Sequence, residues 1–178
     1  MQNVQQIQQL SRFMQWLCTA AIIAMPLFAA WVWLDFERFA APITQQYAIP
    51  IQLEHIGLIN LMLGFLCSLI PVAVAIYGLL RLQALFALFR QTIFFTDANV
   101  RHIRAFSLTL FANALLTTIT VALLSIVLTM NNPPGQRALS ISISSHQIIM
   151  AFIAVIFAII ASIMIEGRKL AEDNAEIV

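Results

Sequence analysis

The sequence predicts an all-α membrane protein with four transmembrane helices arranged as two hairpins. The 178-residue chain is 61% hydrophobic and only 10% charged, whereas a soluble domain carries about 25% charged residues. Four apolar runs are close to or above the length of about 20 residues that crosses the hydrocarbon core of a bilayer. We therefore expect a single four-helix transmembrane domain over residues 1–178, with spans near 13–34, 57–80, 105–130 and 147–165.

The first apolar run follows a Gln-rich start. Val4, Ile7, Ser11 and Met14 recur at helical spacing, which predicts a short amphipathic segment at the membrane surface. A disordered tract is the alternative, because Gln-rich sequences also occur in disordered segments. The run over residues 13–34 is uncharged and longer than the apolar part of a signal peptide. It predicts a retained helix, kinked at Pro26.

Two polar connections contain segments whose apolar residues alternate. Residues 49–53 and 139–144 both show the period of two that is typical of a strand. They could pair as a tiny extracytoplasmic β-ribbon at one end of the helices. Pro50 lacks a backbone donor and limits that pairing to one edge. The alternative is two unpaired loops, and the sequence does not favour either.

The second span, with Pro71 in its middle, leads into an arginine-containing stretch over residues 81–104. Its first half has an apolar face that suits a helix continuing out of the membrane or lying along it. Thr96 is a suitable N-cap residue, and Asp97 places a negative charge in the next helix's first turn. We therefore predict that the third long helix begins at Asp97.

The third span carries the one polar stripe found among the apolar runs. Its members fall on one helical face: Thr109, Asn113, Thr117 and Thr120. A hydrophilic cavity is one interpretation of this polar seam. We favour contact between helices, since Thr and Asn hydrogen-bond across membrane bundles. A conducting path normally requires more than one polar helix face.

The distribution of cations predicts the orientation. Seven of the nine Lys and Arg residues fall on the side of the termini and two on the other. Cytoplasmic loops carry the excess of positive charge, so we expect both termini in the cytoplasm. The seven are Arg12, Arg81, Arg90, Arg101, Arg104, Arg168 and Lys169; the two are Arg38 and Arg137.

Two stretches resemble a bacterial membrane family known as domain of unknown function 2975. One is LFALFRQTIFFTDANVRHIRAF (residues 85–106), and the other is the closing EGRKLAEDNAEIV (residues 166–178). The family often has Gly before its Phe-Thr pair, where this chain has Thr92-Ile93-Phe94. The resemblance implies four spans in a bacterial inner membrane and no assigned chemistry. It also implies a sensory or regulatory role, because members are thought to sit beside small helix-turn-helix regulators.

No motif in the sequence indicates catalysis. His55, Glu54 and His146 could supply zinc ligands, but no close spacing supports a site, and we assign no metal and no cofactor. No phosphate-binding loop occurs. A net charge of +1 gives no indication of direct nucleic-acid binding. We expect the protein not to be an enzyme.

Two candidate sites remain. One is a docking site for a protein partner or for lipid, formed by the arginines 81, 90, 101 and 104; topology and anionic headgroups alone also explain these charges. The other is the polar seam. We favour an interaction or regulatory module that presents its cytoplasmic loop and tail to a protein partner. The alternatives are a small transporter or channel component, which would depend on Asn113, and a membrane immunity or resistance protein.

Overall fold

A computed structural model of the chain describes the backbone of residues 2–176 and the side chains of residues 4–168. Five α-helices form within this part: α1 (Gln2–Leu34), α2 (Phe36–Tyr47), α3 (Leu58–Arg90), α4 (Asp97–Thr129) and α5 (Ser145–Glu176). All except α2 are long and apolar enough to cross a membrane. The prediction of an all-α protein with four such helices is confirmed.

The long helices pack in chain order: α1 on α3, α3 on α4, and α4 on α5. Antiparallel neighbours α1 and α3 form one hairpin and α4 and α5 the other, so α1 and α5 are the flanks of the bundle. The turn over residues 91–96, the start of α1 and the end of α5 lie together, and we call this the arginine-rich end. The connections over residues 35–57 and 130–144 lie at the opposite, capped end.

The helices are longer than the apolar runs that predicted them. A 33-residue helix such as α1 is about 50 Å long, against about 30 Å for a hydrocarbon core. The Gln-rich start is therefore not a separate surface segment, because α1 runs without a break from Gln2 through the first span. Pro26 and Pro71 lie inside α1 and α3, and Gly167 does not interrupt α5.

Helix α2 covers the capped end. Phe36 and Ala40 are buried on one of its faces, and they pack with the buried Ile49 and Leu128. The indole of Trp33 stacks on the Phe36 ring, with centroids 5.2 Å apart. The first connection, for which the sequence predicted no helix, thus begins with an amphipathic helix that contributes to an apolar core.

No strand forms among the described residues, so the two alternating segments do not make a ribbon. Side chains of α4 accept hydrogen bonds from backbone amides that would otherwise pair the two segments as strands. The amide of Ser140 donates to Ser125 Oγ at 2.9 Å, and that of Ala138 donates to Thr129 Oγ1 at 3.1 Å. The two connections still meet, because Ser140 Oγ donates to the Tyr47 carbonyl at 2.6 Å.

Three of the long helices begin with the same device. An amide side chain at the third position accepts the backbone N–H of the N-cap residue, and its nitrogen then donates elsewhere. In α3, Asn60 Oδ1 accepts from Gly57 at 3.1 Å and Asn60 Nδ2 donates to the Val127 carbonyl at 2.7 Å. Asn99 in α4 and Gln147 in α5 occupy the equivalent positions. This arrangement satisfies backbone donors that a helix start leaves unpaired.

Two glycines allow α3 to approach its neighbours. A Cβ at Gly64 would overlap the Trp33 indole of α1, and one at Gly78 would lie 2.9 Å from Thr109 Cγ2 of α4. Small residues at such crossings let membrane helices pack closely. Trp33 is held there by its Nε1, which donates to Ser68 Oγ at 3.0 Å.

Candidate functional site

Two of the four arginines of the predicted docking site, Arg81 and Arg90, lie on opposite faces of α3. Arg81 and Arg90 are nine positions apart, which is half a turn out of phase on a helix. The Arg90 side chain faces α1, where its Nη1 donates to Gln15 Oε1 at 3.4 Å. Arg81 donates to the Tyr77 hydroxyl at 2.7 Å, and its guanidinium lies 4.8 Å from the centre of that ring.

The other two arginines lie on the first two turns of α4. Arg101 and Arg104 are both exposed. Arg81 and Arg101 are close enough for their charges to act on the His102 imidazole between them. The Nδ1 atom of His102 is buried without a partner among the described residues. The structure thus brings Arg81 and Arg101 near His102 and places Arg90 beside α1.

The turn between α3 and α4 is held by Asn99. Helix α4 begins at Asp97, with Thr96 as its N-cap residue, and both predictions are confirmed. The capping differs from the expected pattern, because the Thr96 hydroxyl donates to Asn99 Oδ1 instead of accepting from the helix. Asn99 is fully buried, and its Nδ2 donates to the Ile93 carbonyl at 3.1 Å.

This turn contains two residues in a left-handed conformation. Thr92 has φ 59° and Phe95 has φ 56°, a region that disfavours residues with a Cβ by about 1–2 kcal/mol. The chain therefore makes a tight turn without the glycine that the resembling family often has before its Phe-Thr pair.

An ion pair links the turn to the last helix. Arg168 Nη1 lies against Asp97 Oδ1, which joins the start of α4 to the final part of α5. The acidic tail residues Glu172, Asp173 and Glu176 have side chains outside the described part. The backbone of α5 nevertheless continues to Glu176, so the tail begins beside the turn.

Two threonine hydroxyls of the polar seam bond to backbone carbonyls of their own helix. Thr109 Oγ1 donates to the Ala105 carbonyl at 2.7 Å, and Thr117 Oγ1 donates to the Asn113 carbonyl at 2.8 Å. Thr120 is buried. A hydrogen bond to a neighbouring helix is made by Ser107, whose hydroxyl donates to the Ala154 carbonyl of α5 at 2.7 Å.

Asn113 is the unusual member of the seam. Its Oδ1 is buried and finds no hydrogen-bond partner among the described residues. An unpaired polar group within a bilayer costs several kcal/mol in the limiting case. The geometry therefore identifies Asn113 as a polar group that the seam does not satisfy.

A groove between α1 and α3 at the arginine-rich end was not predicted. Polar side chains form its floor: Gln83 Nε2 donates to Thr19 Oγ1 at 2.8 Å, and Gln15 Nε2 donates to the Gln83 carbonyl at 3.4 Å. Arg12 and Arg90 stand at its mouth. A sequence signal existed, because residues 12, 15 and 19 fall on one face of α1, and residues 83 and 90 share a face of α3.

The capped end uses its polar residues for structure. Asn131 Nδ2 donates to Asn60 Oδ1 at 2.8 Å, and Asn132 Nδ2 donates to the Pro50 carbonyl at 3.3 Å. Burial raises the pKa of the Tyr47 phenol, so that side chain stays neutral. Among the residues with described side chains, no group of three or more His, Cys, Asp or Glu could hold a metal ion.

Together, four apolar helices, a hydrogen-bonded cap and a cationic opposite end define a multi-pass helical membrane protein by length and composition. The chain belongs to the family described as "Protein of unknown function (DUF2975)", whose family model matches residues 16–178. No curated protein and no solved structure shows a significant match to the chain.

Proposed function

We propose that this protein is a non-enzymatic interaction or regulatory module of the bacterial inner membrane. It presents residues 91–104 and its C-terminal tail to a cytoplasmic protein partner. The observation that carries the proposal is the ion pair between Asp97 and Arg168. Because of this pair, two segments that are 71 positions apart in sequence form one continuous surface.

The proposed orientation follows from charge. The seven cations of the terminal side belong to the arginine-rich end, and the two others, Arg38 and Arg137, belong to the capped end. The excess of positive charge on short loops marks the cytoplasmic side. In this orientation both termini and the turn face the cytoplasm, where a soluble regulator is accessible.

The proposed surface combines two signs of charge. Arg101 and Arg104 are exposed on the first turns of α4, while the sequence of the tail is acidic at positions 172, 173 and 176. Charged residues at the rim of an interface set partner choice and association rate more than raw affinity. A partner with complementary charges of both signs fits this surface.

The transport alternative has less support. The hydroxyls of Thr109 and Thr117 are bonded to carbonyls of their own helix, so they do not line an open polar path. No observation favours the immunity or resistance alternative.

The test is recovery of soluble proteins from membranes dissolved in mild detergent, using the full chain as bait. The chain truncated after Arg168 removes the acidic tail but keeps the ion pair with Asp97. The double variant Arg101→Gln/Arg104→Gln removes the exposed cations. We expect each change to reduce recovery of the same soluble partner about tenfold, the equivalent of about 1.4 kcal/mol.

The matched control is Arg38→Gln/Arg137→Gln, which removes the same charge from the capped end. It should recover the partner as well as the unmodified chain does. The proposal fails if no soluble protein is recovered with any form. It also fails if the truncated chain and both double variants recover the same protein equally.

A further inference from the structure

The groove between α1 and α3 has a shape and lining that differ from the rest of the surface. It consists of two depressions of about 740 Å³ and 660 Å³ that share Arg12 and Arg90. The larger one lies towards the apolar part of the helices and the smaller one towards the Gln-rich start of α1. Besides the arginines, the larger depression is lined by Gln15, Trp16, Thr19, Leu80, Gln83, Ala84 and Ala87.

The positive charge of the groove favours the binding of an anion. Arg12 and Arg90 are both exposed, and the lining residues, all within the described part of the chain, include no carboxylate. Arg12 makes no hydrogen bond or ion pair with another described residue. By contrast, Arg81 is engaged with Tyr77 and Arg168 with Asp97. Guanidinium groups bind phosphate oxygens in a bidentate manner, so two of them at one mouth suit a phosphate.

The depth of each group matches the layers of a bilayer. Arg12 directly precedes the apolar run of α1. Arg90, the last residue of α3, lies at a similar level because it contacts Gln15 of α1, and we place both guanidiniums among the headgroups. Trp16, 69% exposed, stands one turn deeper, as interfacial tryptophans do. Thr19 and Gln83 lie about 10 Å along their helices from the arginines, at the boundary of the hydrocarbon layer.

The Gln15 and Gln83 amide nitrogens each use one N–H in the hydrogen bonds of the groove floor and carry a second. At that depth the second donors need partners that are not bulk water. A phospholipid supplies them, because its ester oxygens lie just below its phosphate and its acyl chains continue beneath. The small side chains of Ala84 and Ala87 leave room for one chain against α3. A free phosphate ion would fill only the mouth of the groove and leave the apolar part of its lining uncovered.

We propose that this groove binds one anionic phospholipid, with Arg12 and Arg90 holding the phosphate and the Gln15, Thr19 and Gln83 side chains facing the glycerol esters. The site is independent of the proposed protein partner, because it uses the α1 face of α3 and not the α4 face. The lipid then covers one side of the contact between α1 and α3, at the edge of the bundle.

The test is native mass spectrometry of the intact protein in detergent, titrated with phosphatidylglycerol or phosphatidylcholine. We expect one phosphatidylglycerol to bind at low lipid concentration and Arg12→Gln/Arg90→Gln to weaken that binding about tenfold. Arg12→Lys/Arg90→Lys keeps the charge but loses bidentate geometry, and we expect an intermediate loss. Phosphatidylcholine should bind more weakly and respond less.

The matched control is Arg101→Gln/Arg104→Gln, which removes two exposed arginines from α4 at the same end. It should leave phosphatidylglycerol binding unchanged. An equal loss in this control would show attraction to net charge and overturn the site. Displacement of the lipid by inorganic phosphate at matched concentration would reassign the groove to a soluble anion. Unchanged binding in Arg12→Gln/Arg90→Gln would also overturn the proposal, since both side chains are exposed and their loss leaves the fold intact.

Discussion

The capped end and the arginine-rich end use polar residues in opposite ways. At the capped end, amides and hydroxyls point inward and bind backbone groups of other segments, as Asn60 does with Val127 and Ser140 does with Tyr47. At the arginine-rich end, guanidiniums such as those of Arg12, Arg90 and Arg104 point outward. At the capped end the polar side chains stabilise the chain's own connections. At the arginine-rich end the exposed guanidiniums are available to bind ligands.

The difference has a physical basis in what each end must satisfy. The capped end contains two connections longer than ten residues, and their backbone groups need partners. The arginine-rich end has one short turn, which Asn99 holds through its contacts with Thr96 and Ile93 together with backbone bonds such as that from the Ile93 amide to the Leu88 carbonyl. Its arginines at positions 12 and 104 are exposed, so they are accessible to ligands.

The largest predicted effect is at the capped end. Asn60 is 1% exposed and bonds Gly57, Val127 and Asn131. Asn60→Ala should lower the free energy of unfolding by about 3 kcal/mol, because a buried polar group left unpaired costs about 1–3 kcal/mol. Thermal or denaturant unfolding in detergent measures this. A loss below about 1 kcal/mol would mean that water replaces the amide, and the capped end would not be the stabilising one.

The equivalent substitution at the other end should cost less. Asn99→Ala removes the same helix-start device, but two of the bonds it breaks are longer. They measure 3.4 Å to the Thr96 N–H and 3.1 Å to the Ile93 carbonyl, against 3.1 Å and 2.7 Å for the corresponding bonds of Asn60. We expect a loss of about 2 kcal/mol in the same unfolding assay. Asn99→Gln, which keeps the amide but moves it by one methylene, serves as the control and should recover part of the loss. A cost equal to or above that of Asn60→Ala would remove the contrast between the two ends.

Between the two ends, a substitution in the polar seam should increase the free energy of unfolding instead of lowering it. Asn113→Leu replaces an amide whose Oδ1 has no described partner with an apolar side chain of similar size. We expect the free energy of unfolding to rise by about 1 kcal/mol, since the cost of an unpaired group disappears. Thr117→Val at the next turn of the seam is the control and should change stability little. Lower stability in Asn113→Leu would reveal a partner for the amide and would favour the transport alternative.

The four spans could be predicted because their cause is local. A bilayer requires about 20 apolar residues in succession, and that requirement is visible in composition alone. The start of α4 was equally accessible, because Thr96 and Asp97 are residue types that favour a helix start. The ends of the helices were harder to predict from the sequence, since the helical hydrogen bonding of α1 and α5 continues beyond the apolar residues.

The sequence of α2 has a helical pattern of apolar residues, which was missed because the segment after it alternates like a strand. Phe36, Ala40, Ile43 and Tyr47 recur at spacings of three and four, which is the pattern of a one-sided helix. Their burial against Leu128 explains the pattern. The ribbon failed for a nonlocal reason: Ser125 and Thr129 take the amide hydrogens of the segment over residues 138–140, and nothing in that segment itself indicates this competition.

The groove lay beyond prediction for a similar reason. Gln15 and Gln83 are 68 positions apart in sequence, and their contact depends on how α1 and α3 pack. Each helix carried its own polar stripe, but the register of the two helices brings the stripes together. A polar stripe near the end of an apolar run thus indicates a possible contact with a polar stripe on the neighbouring helix.

The smallest predicted effect on stability separates structure from function at the arginine-rich end. Arg168→Gln removes the pair with Asp97, and exposed pairs contribute about 0.2–1 kcal/mol. We expect a loss of about 0.5 kcal/mol in unfolding free energy at low salt, and less at high salt because of screening. The double variant Asp97→Asn/Arg168→Gln gives the coupling between the two residues. If recovery of the cytoplasmic partner falls in Arg168→Gln while stability hardly changes, the pair positions the tail for binding. A stability loss comparable with that of Asn60→Ala would instead make this end as structural as the capped one.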